Sequence, residues 1–277
     1  MHFEITHETI YHYSKPVRLG PQTIRLRPRC EGGLALHRLD LIVDPEPAGR
    51  SECLDLEGNV VTQLWFDDPS DHLRIRCSTH VETTRHNPFD FLPESSRDSL
   101  YTPELTQRLS SYLAPVENTP AVRALSARLA SQFGHDALGF LEALNRHLFE
   151  HIEHETRELG PPQAPLQTLK SEIGACRDVT VLFMEICRLH GIAARFVSGY
   201  QKGETWRERR YMHAWPEVYL PGGGWRGYDP THGLAVADEH VPVAAAASPD
   251  DAAPVEGTYS GDADTHLEAQ VEIRVHE

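Results

Sequence analysis

One segment constrains the rest of the chain: Gly174-Ala175-Cys176-Arg177-Asp178-Val179-Thr180-Val181-Leu182-Phe183-Met184-Glu185-Ile186-Cys187-Arg188-Leu189-His190-Gly191. Val179, Leu182, Phe183, Ile186 and Leu189 recur at helical spacing and make one apolar face. Val181, Met184 and Cys187 add apolar groups on other faces, which marks a central helix buried on most sides. Gly174 allows an unusual backbone before the helix, and Gly191 suits its C-terminal cap. Cys176 falls in the first turn. Free N–H groups and partial positive charge at a helix start favour a thiolate over a thiol. A buried cysteine more often packs as a small inert hydrophobe, so the neighbours must decide its role.

The length, 277 residues, predicts two domains, and 40% hydrophobic residues suffice for ordinary cores. A net charge of −15 argues against a nucleic-acid partner or an anionic membrane surface. The five cysteines, Cys30, Cys53, Cys77, Cys176 and Cys187, form no C-x-x-C pair, so neither a zinc framework nor a redox dithiol is indicated. No cofactor is expected. The start, Met1 to Glu8, lacks the basic and apolar regions of a secretory signal. No stretch reaches the ~20 apolar residues that cross a bilayer. A reducing cytoplasm is the expected location.

Residues 1–86 read as strands. Phe3, Ile5, Thr9, Tyr11 and Tyr13 alternate with polar neighbours, as do Leu39, Leu41 and Val43, then Leu73, Ile75, Cys77, Thr79 and Val81. Leu54 to Val61 reads as two strands joined at Glu57-Gly58-Asn59. The expectation is an N-terminal β-domain resembling a sandwich. His2, His7 and His12 match no familiar metal-site spacing and read as exposed strand histidines. Residues 87–102, rich in Pro, Ser and Asp, read as a linker that docks partway. Helices follow, one with Thr119-Pro120 as N-cap and N1, another from about Asp136. The charged end His151, Glu153, His154, Glu155 reads as solvated.

After Gly191 come a strand over Ile192–Tyr200 and a polar loop over Lys202–Arg210. A hairpin follows, with Met212–Leu220 and Trp225–Pro230 joined at Pro221-Gly222-Gly223-Gly224. Residues 244–264 are expected to carry little core. Val271, Ile273 and Val275 form a last strand, free to return to either domain. The second unit is thus 103–277, an α+β core with the central helix against an antiparallel sheet.

His213 and Asp229 are 16 residues apart, with their midpoint at Pro221. Folded there, a hairpin places them opposite or one step apart. The even spacing puts both on one face, with cross-strand Cβ atoms ~5 Å apart. A thiol at a helix start, an imidazole and a carboxylate supply nucleophile, base and orienter for acyl transfer.

The blocks Gly174-Ala175-Cys176-Arg177-Asp178, His213-Ala214-Trp215-Pro216-Glu217-Val218-Tyr219 and Gly224-Trp225-Arg226-Gly227-Tyr228-Asp229-Pro230-Thr231-His232-Gly233 resemble those of the bacterial transglutaminase-like family. Tyr11 to Val17 and Leu26 to Arg29 resemble the N-terminal β-region that accompanies this core. The resemblance implies a papain-like fold with the catalytic Cys, His and Asp at Cys176, His213 and Asp229. Two positions depart from the family pattern: Val181, where a histidine is frequent, and Ala246-Ala247-Ser248, where Gly-Arg-Asp is frequent. If those positions shape the substrate channel, a different substrate or a reduced activity is expected.

The expected reaction is attack of Cys176 on a peptide or carboxamide carbonyl, with the Cys176 N–H as first oxyanion donor. The substrate partner is then a peptide or protein. Hydrolysis as a protease or amidase is favoured over amine transfer. A peptide-binding module that keeps the fold without turnover is the alternative, and thiol reactivity separates the two. Trp215 and Trp225 flank the pair as candidate walls of the substrate cleft, with sheet packing as the competing role. Asp178 reads as compensation of the helix dipole. Pro216 predicts that its strand lies at an edge or is bulged, where an extended peptide can add.

Overall fold

The computed structural model describes residues 1–94, 99–134, 136–203 and 210–276. Five strands come first: β1 (His2–Ile24), β2 (Leu34–Asp44), β3 (Gly49–Leu54), β4 (Val60–Trp65) and β5 (Ser70–Thr83). The helical part holds α1 (Pro103–Arg108), α2 (Ser110–Leu113), α3 (Pro120–Ala130) and α4 (Ala137–His151). Next come β6 (Glu153–His154), α5 (Pro165–Ser171), β7 (Ile173–Gly174) and α6 (Cys176–Leu189). The chain closes with β8 (Ala194–Gln201), β9 (His213–Leu220), β10 (Gly224–Asp229), β11 (Leu234–Ala235), β12 (His240–Ala246), β13 (Val255–Ser260) and β14 (Thr265–His276).

The N-terminal sheet owes its shape to β1. Its first half, His2 to Tyr13, lies between β5 and β14, and its second half, Arg18 to Ile24, runs beside β13 and β4. The ladder with β5 jumps from His12↔His72 to Val17↔Ser70. Pro16 falls in that jump, where a residue without an N–H does least harm. The two halves curl around Tyr13, Val17, Leu19, Ile24, Leu26, Leu64, Leu73, Ile75 and Cys77. The sandwich expected for 1–86 is therefore one curled sheet whose layers share a strand.

The second unit is a five-stranded antiparallel sheet, β11-β10-β9-β8-β12, with α6 on one face. Leu182, Phe183 and Ile186 of α6 are fully buried against Ala194, Phe196, Ala214, Val218, Tyr228, Ala244 and Ala246. Each such side chain contributes about 1.5–3 kcal/mol by leaving water. Gly191 ends the helix with φ +76°. Gly174 keeps an ordinary φ; its constraint is room, since a Cβ would sit 3.0 Å from Thr168 Cγ2 and 3.1 Å from Asp178 Cβ.

Two expectations change here, and a point left open is decided. Residues 240–246, which overlap a stretch expected to carry little core, form a buried strand, because alanines fit where α6 and the sheet approach closely. The last strand, left free to return to either domain, goes to the first, and the strand before it does too: β13 and β14 both pair with β1 and complete the N-terminal sheet. Phe3, Ile5, Val81, Val271 and Ile273 then share one core cluster with Tyr200, Val241 and Val243 of the second sheet. Finally, His7 is not exposed. It lies in the same region, hydrogen-bonded to Tyr200 Oη (2.9 Å) and Thr9 Oγ1 (3.0 Å), and burial pushes its pKa down to about 4.

The N-terminal unit also covers the outer edge of β12. The Asn59 side chain pairs with Ala245 as a strand residue would, donating to its carbonyl (3.0 Å) and accepting its N–H (2.8 Å). The Arg29 N–H donates to Pro242 O (2.8 Å). An edge so covered cannot recruit another chain.

Candidate active site

Cys176 is the first residue of α6, after Ala175 in extended conformation (φ −75°, ψ 164°). Asp178, fully buried, fixes this start. Its carboxylate accepts the Ala175 N–H (2.8 Å), the Gln163 N–H (2.7 Å) and Arg157 Nη2 (2.7 Å). Arg177 donates to the carbonyls of Arg157 (2.7 Å) and Leu159 (2.8 Å). Asp178 therefore does more than offset the helix dipole: it ties the residue before the thiol to the segment that follows β6.

His213 opens β9. Its Nε2 donates to Asp229 Oδ2 at 2.8 Å, which leaves Nδ1 for the thiol. Asp229, wholly buried at the end of β10, is the hub of the site. The same Oδ2 accepts His232 Nδ1 (2.9 Å) and His240 Nε2 (2.9 Å), while Oδ1 accepts the N–H groups of Thr231 (3.1 Å) and His232 (3.3 Å). Burial alone would raise its pKa. The His213 charge and these donors outweigh it and hold the carboxyl well below its usual range.

The same opposition sets the thiol and the imidazole. Burial works against the thiolate. Hydrogen bonding from the imidazoles of His154 and His213 and from the Ala214 N–H, together with the His213 charge, brings its pKa down to about 6. Burial also works against an imidazolium at His213, but Asp229 and Cys176 raise it to about 10. Between those values the thiolate–imidazolium pair is the stable form. His240 differs: burial dominates and lowers its pKa, and its Nδ1 has no partner among the described residues, so it serves Asp229 as a neutral donor.

The hairpin brings these groups together on a diagonal. The ladder pairs Leu220 with Gly224 and Glu217 with Gly227, which centres the hairpin on Gly222 rather than Pro221. Asp229 is thus two residues out of step with His213, on the same face, and its carboxylate closes the gap. The expectation that Pro216 marks an edge or a bulge also fails. β9 lies between β8 and β10, without a register shift. The Tyr219 N–H donates towards β8, so by alternation the nitrogens of Pro216 and Ala214 face β10. There the ladder has already stopped at Glu217, and β11 pairs with β10 on its other edge. The missing N–H of Pro216 costs nothing, and the Ala214 N–H is free to face the sulfur.

Neither tryptophan walls an open cleft. Trp215 is fully buried behind the site, packed on Val197 and Ala245, with its ring 5.1 Å from His240 and 6.0 Å from His213. Trp225 is four residues from Asp229, roughly 13 Å along the strand. It packs on Tyr112 (4.8 Å) and Tyr219 (5.5 Å) under the Arg195 guanidinium (4.4 Å). Ala246 is core, and the Ala247 carbonyl is held by Arg188 (2.6 Å).

Sequence reasoning did not find His154, His232 or His240. Only the position of His232, three residues after Asp229 in a turn, carried a local signal. Two groups of described residues have ligand atoms placed for a metal ion: His213, Asp229 and His240, and, on the N-terminal sheet, His2, His37 and Glu82. In the first group each imidazole is already satisfied as a donor to the carboxylate.

Residues 3–82 match the bacterial transglutaminase-like N-terminal region, and residues 123–230 match the transglutaminase-like superfamily. An uncharacterized protein of Mycobacterium leprae is 29% identical over 97% of each chain. A protein-glutamine gamma-glutamyltransferase of Pseudomonas aeruginosa is 28% identical over 75% of this chain but only 33% of its own length. Among solved structures, a candidate cysteine protease from Cytophaga hutchinsonii shares the fold, with a TM-score of 0.73 at 19% identity, covering 100% of this chain and 92% of its own. The chain belongs to the transglutaminase-like superfamily, in the bacterial form whose core follows its own N-terminal region.

Proposed function

We propose that this protein is a thiol acyl-transfer enzyme acting on peptide or carboxamide bonds, with Cys176 as nucleophile, His213 as general acid and base, and Asp229 as orienter. The observation that carries the reading is the placement of Cys176 at the start of the buried helix α6 and of His213 on the buried Asp229 carboxylate at 2.8 Å, surroundings that push the thiol pKa down and the imidazole pKa up. Cys176 Sγ attacks the carbonyl carbon, and the Cys176 N–H, among the unpaired donors of a helix start, faces the developing oxyanion. The His213 proton passes to the leaving amine as the C–N bond breaks. Water then attacks the thioester, giving its proton to His213 and releasing the acid.

Hydrolysis is the preferred outcome because the site is open to solvent: Cys176 is half-buried, and His154 and His232 beside it are exposed. The name of the Pseudomonas relative favours a second reading, in which an amine takes the acyl group. Iodoacetamide tests the shared core of both. Cys176 should alkylate well below pH 8 and faster than the other four cysteines. A rate no greater than that of Cys187 would overturn the enzyme reading in favour of a peptide-binding module. Free acid against amine adduct, measured with excess primary amine, separates hydrolysis from transfer.

A further inference from the structure

His154 lies on neither the hairpin nor α6, yet the fold delivers it to the thiol. α4 ends at His151, and the chain then makes a two-residue parallel bridge in which Glu153 faces Ile173 and His154 faces Gly174. The Glu153 N–H donates to Glu172 O (2.7 Å), and the Glu155 N–H to Gly174 O (3.1 Å). The close fit of Gly174 against Thr168 and Asp178 leaves this register no slack. The bridge thus holds His154 beside the turn that leads into Cys176, its side chain exposed, and hydrogen bonding from its imidazole is among the causes that bring the Cys176 pKa down. An exposed ring is not kept there by burial.

We propose that His154 is a further catalytic residue: it donates an N–H to the oxyanion formed when Cys176 attacks a carbonyl, as second donor beside the Cys176 N–H. The proposal rests on Cys176 being the nucleophile. In the tetrahedral adduct the oxygen sits on the carbon bonded to Sγ, so a donor that reaches the sulfur reaches the oxygen with a small rotation of the ring. His154 does not compete with His213 for the role of base. The carboxylate that orients a base here, Asp229, is committed to His213, His232 and His240. Before attack, the same N–H serves the thiolate. As charge moves from sulfur to oxygen, the donor follows it, which stabilises the transition state more than the ground state.

Two probes of the same sulfur separate this role from a structural one. p-Nitrophenyl acetate acylates Cys176 through an oxyanion, whereas iodoacetamide alkylates it by displacement without one. At pH 9, where the thiol is ionised, His154→Ala should slow acylation on the order of 10²-fold. It should leave alkylation within about twofold of wild type, which also shows that the site is folded. His154→Gln, which keeps an N–H donor, should recover most of the acylation rate. Below neutral pH the alkylation midpoint of His154→Ala should move up, because a donor to the thiolate is gone. Equal losses with both probes, no loss with either, or no recovery by Gln would each overturn the assignment. Failure of the parent reading looks different: the wild type itself would show no rapid acylation.

Discussion

His213 and Asp229 meet 2.8 Å apart across a hairpin in which they are two residues out of register. The contact depends on a carboxylate long enough to bridge the diagonal and on two further histidines that hold it from the other sides. Asp229→Asn keeps the shape, but its amide nitrogen must replace either Oδ2, which faces three imidazole donors, or Oδ1, which faces two backbone N–H groups. We expect kcat/KM to fall on the order of 10²–10³, less than the ~10⁴ of a serine triad, because a thiol is already partly ionised. His213→Ala should be worse, since it removes the proton carrier. Measuring both variants on one amide substrate checks the order; a neutral Asp229→Asn would mean that another group orients the imidazole.

Cys176→Ser should abolish turnover with Tm nearly unchanged. Cys187 sits in the last turn of α6, fully buried, and burial raises its pKa well above the ordinary thiol value. Cys187→Ser buries a hydroxyl there and should cost about 1–3 kcal/mol in urea unfolding, with kcat preserved in the folded fraction.

The pH profile follows from the pair. The reactive form requires the thiolate, lost as pH falls through about 6, and the imidazolium, lost as pH rises through about 10. The rate of acylation should therefore be bell-shaped between those limbs. Part of the rise at His213 comes from Cys176, so Cys176→Ala should lower the His213 titration midpoint, as read by NMR.

His7 makes acid stability a property of the shared core. Its folded pKa of about 4 lies below its unfolded value, so the unfolded chain takes up a proton first. The stability from keeping His7 neutral is present above the unfolded value of about 6.5 and is lost as pH falls towards 4. Tm should drop across that window, and the drop should be shallower in His7→Gln, compared at matched pH.

A cut in residues 87–94 should not release a free N-terminal unit. Phe3, Ile5 and Val81 on one side of it share a core with Tyr200, Val241, Val243 and Val271 on the other. The nicked protein should elute as one species in gel filtration without denaturant; separation would show that this core is too weak to hold the units together.

Much of the site's chemistry could be read from local sequence. Helical spacing around Cys176, the glycine after Leu189 and the parity of His213 and Asp229 are short-range patterns, and each is set by the period of its own element. The remainder depended on contacts between distant segments. β13 and β14 joined the N-terminal sheet because β1 is long enough to offer an edge twice. An alanine run became core because of what packs on it. His154 reached Cys176 through a two-residue bridge, His240 reached Asp229 from another strand, and Trp215 sank behind the histidines. None of these has a periodicity to detect, since a hydrogen bond between segments that meet only in the fold leaves no spacing in either. The sequence by itself determined the elements and the chemistry they carry. Only the tertiary structure decided which charges face each other, because desolvation and pairing depend on what surrounds a side chain in space rather than along the chain.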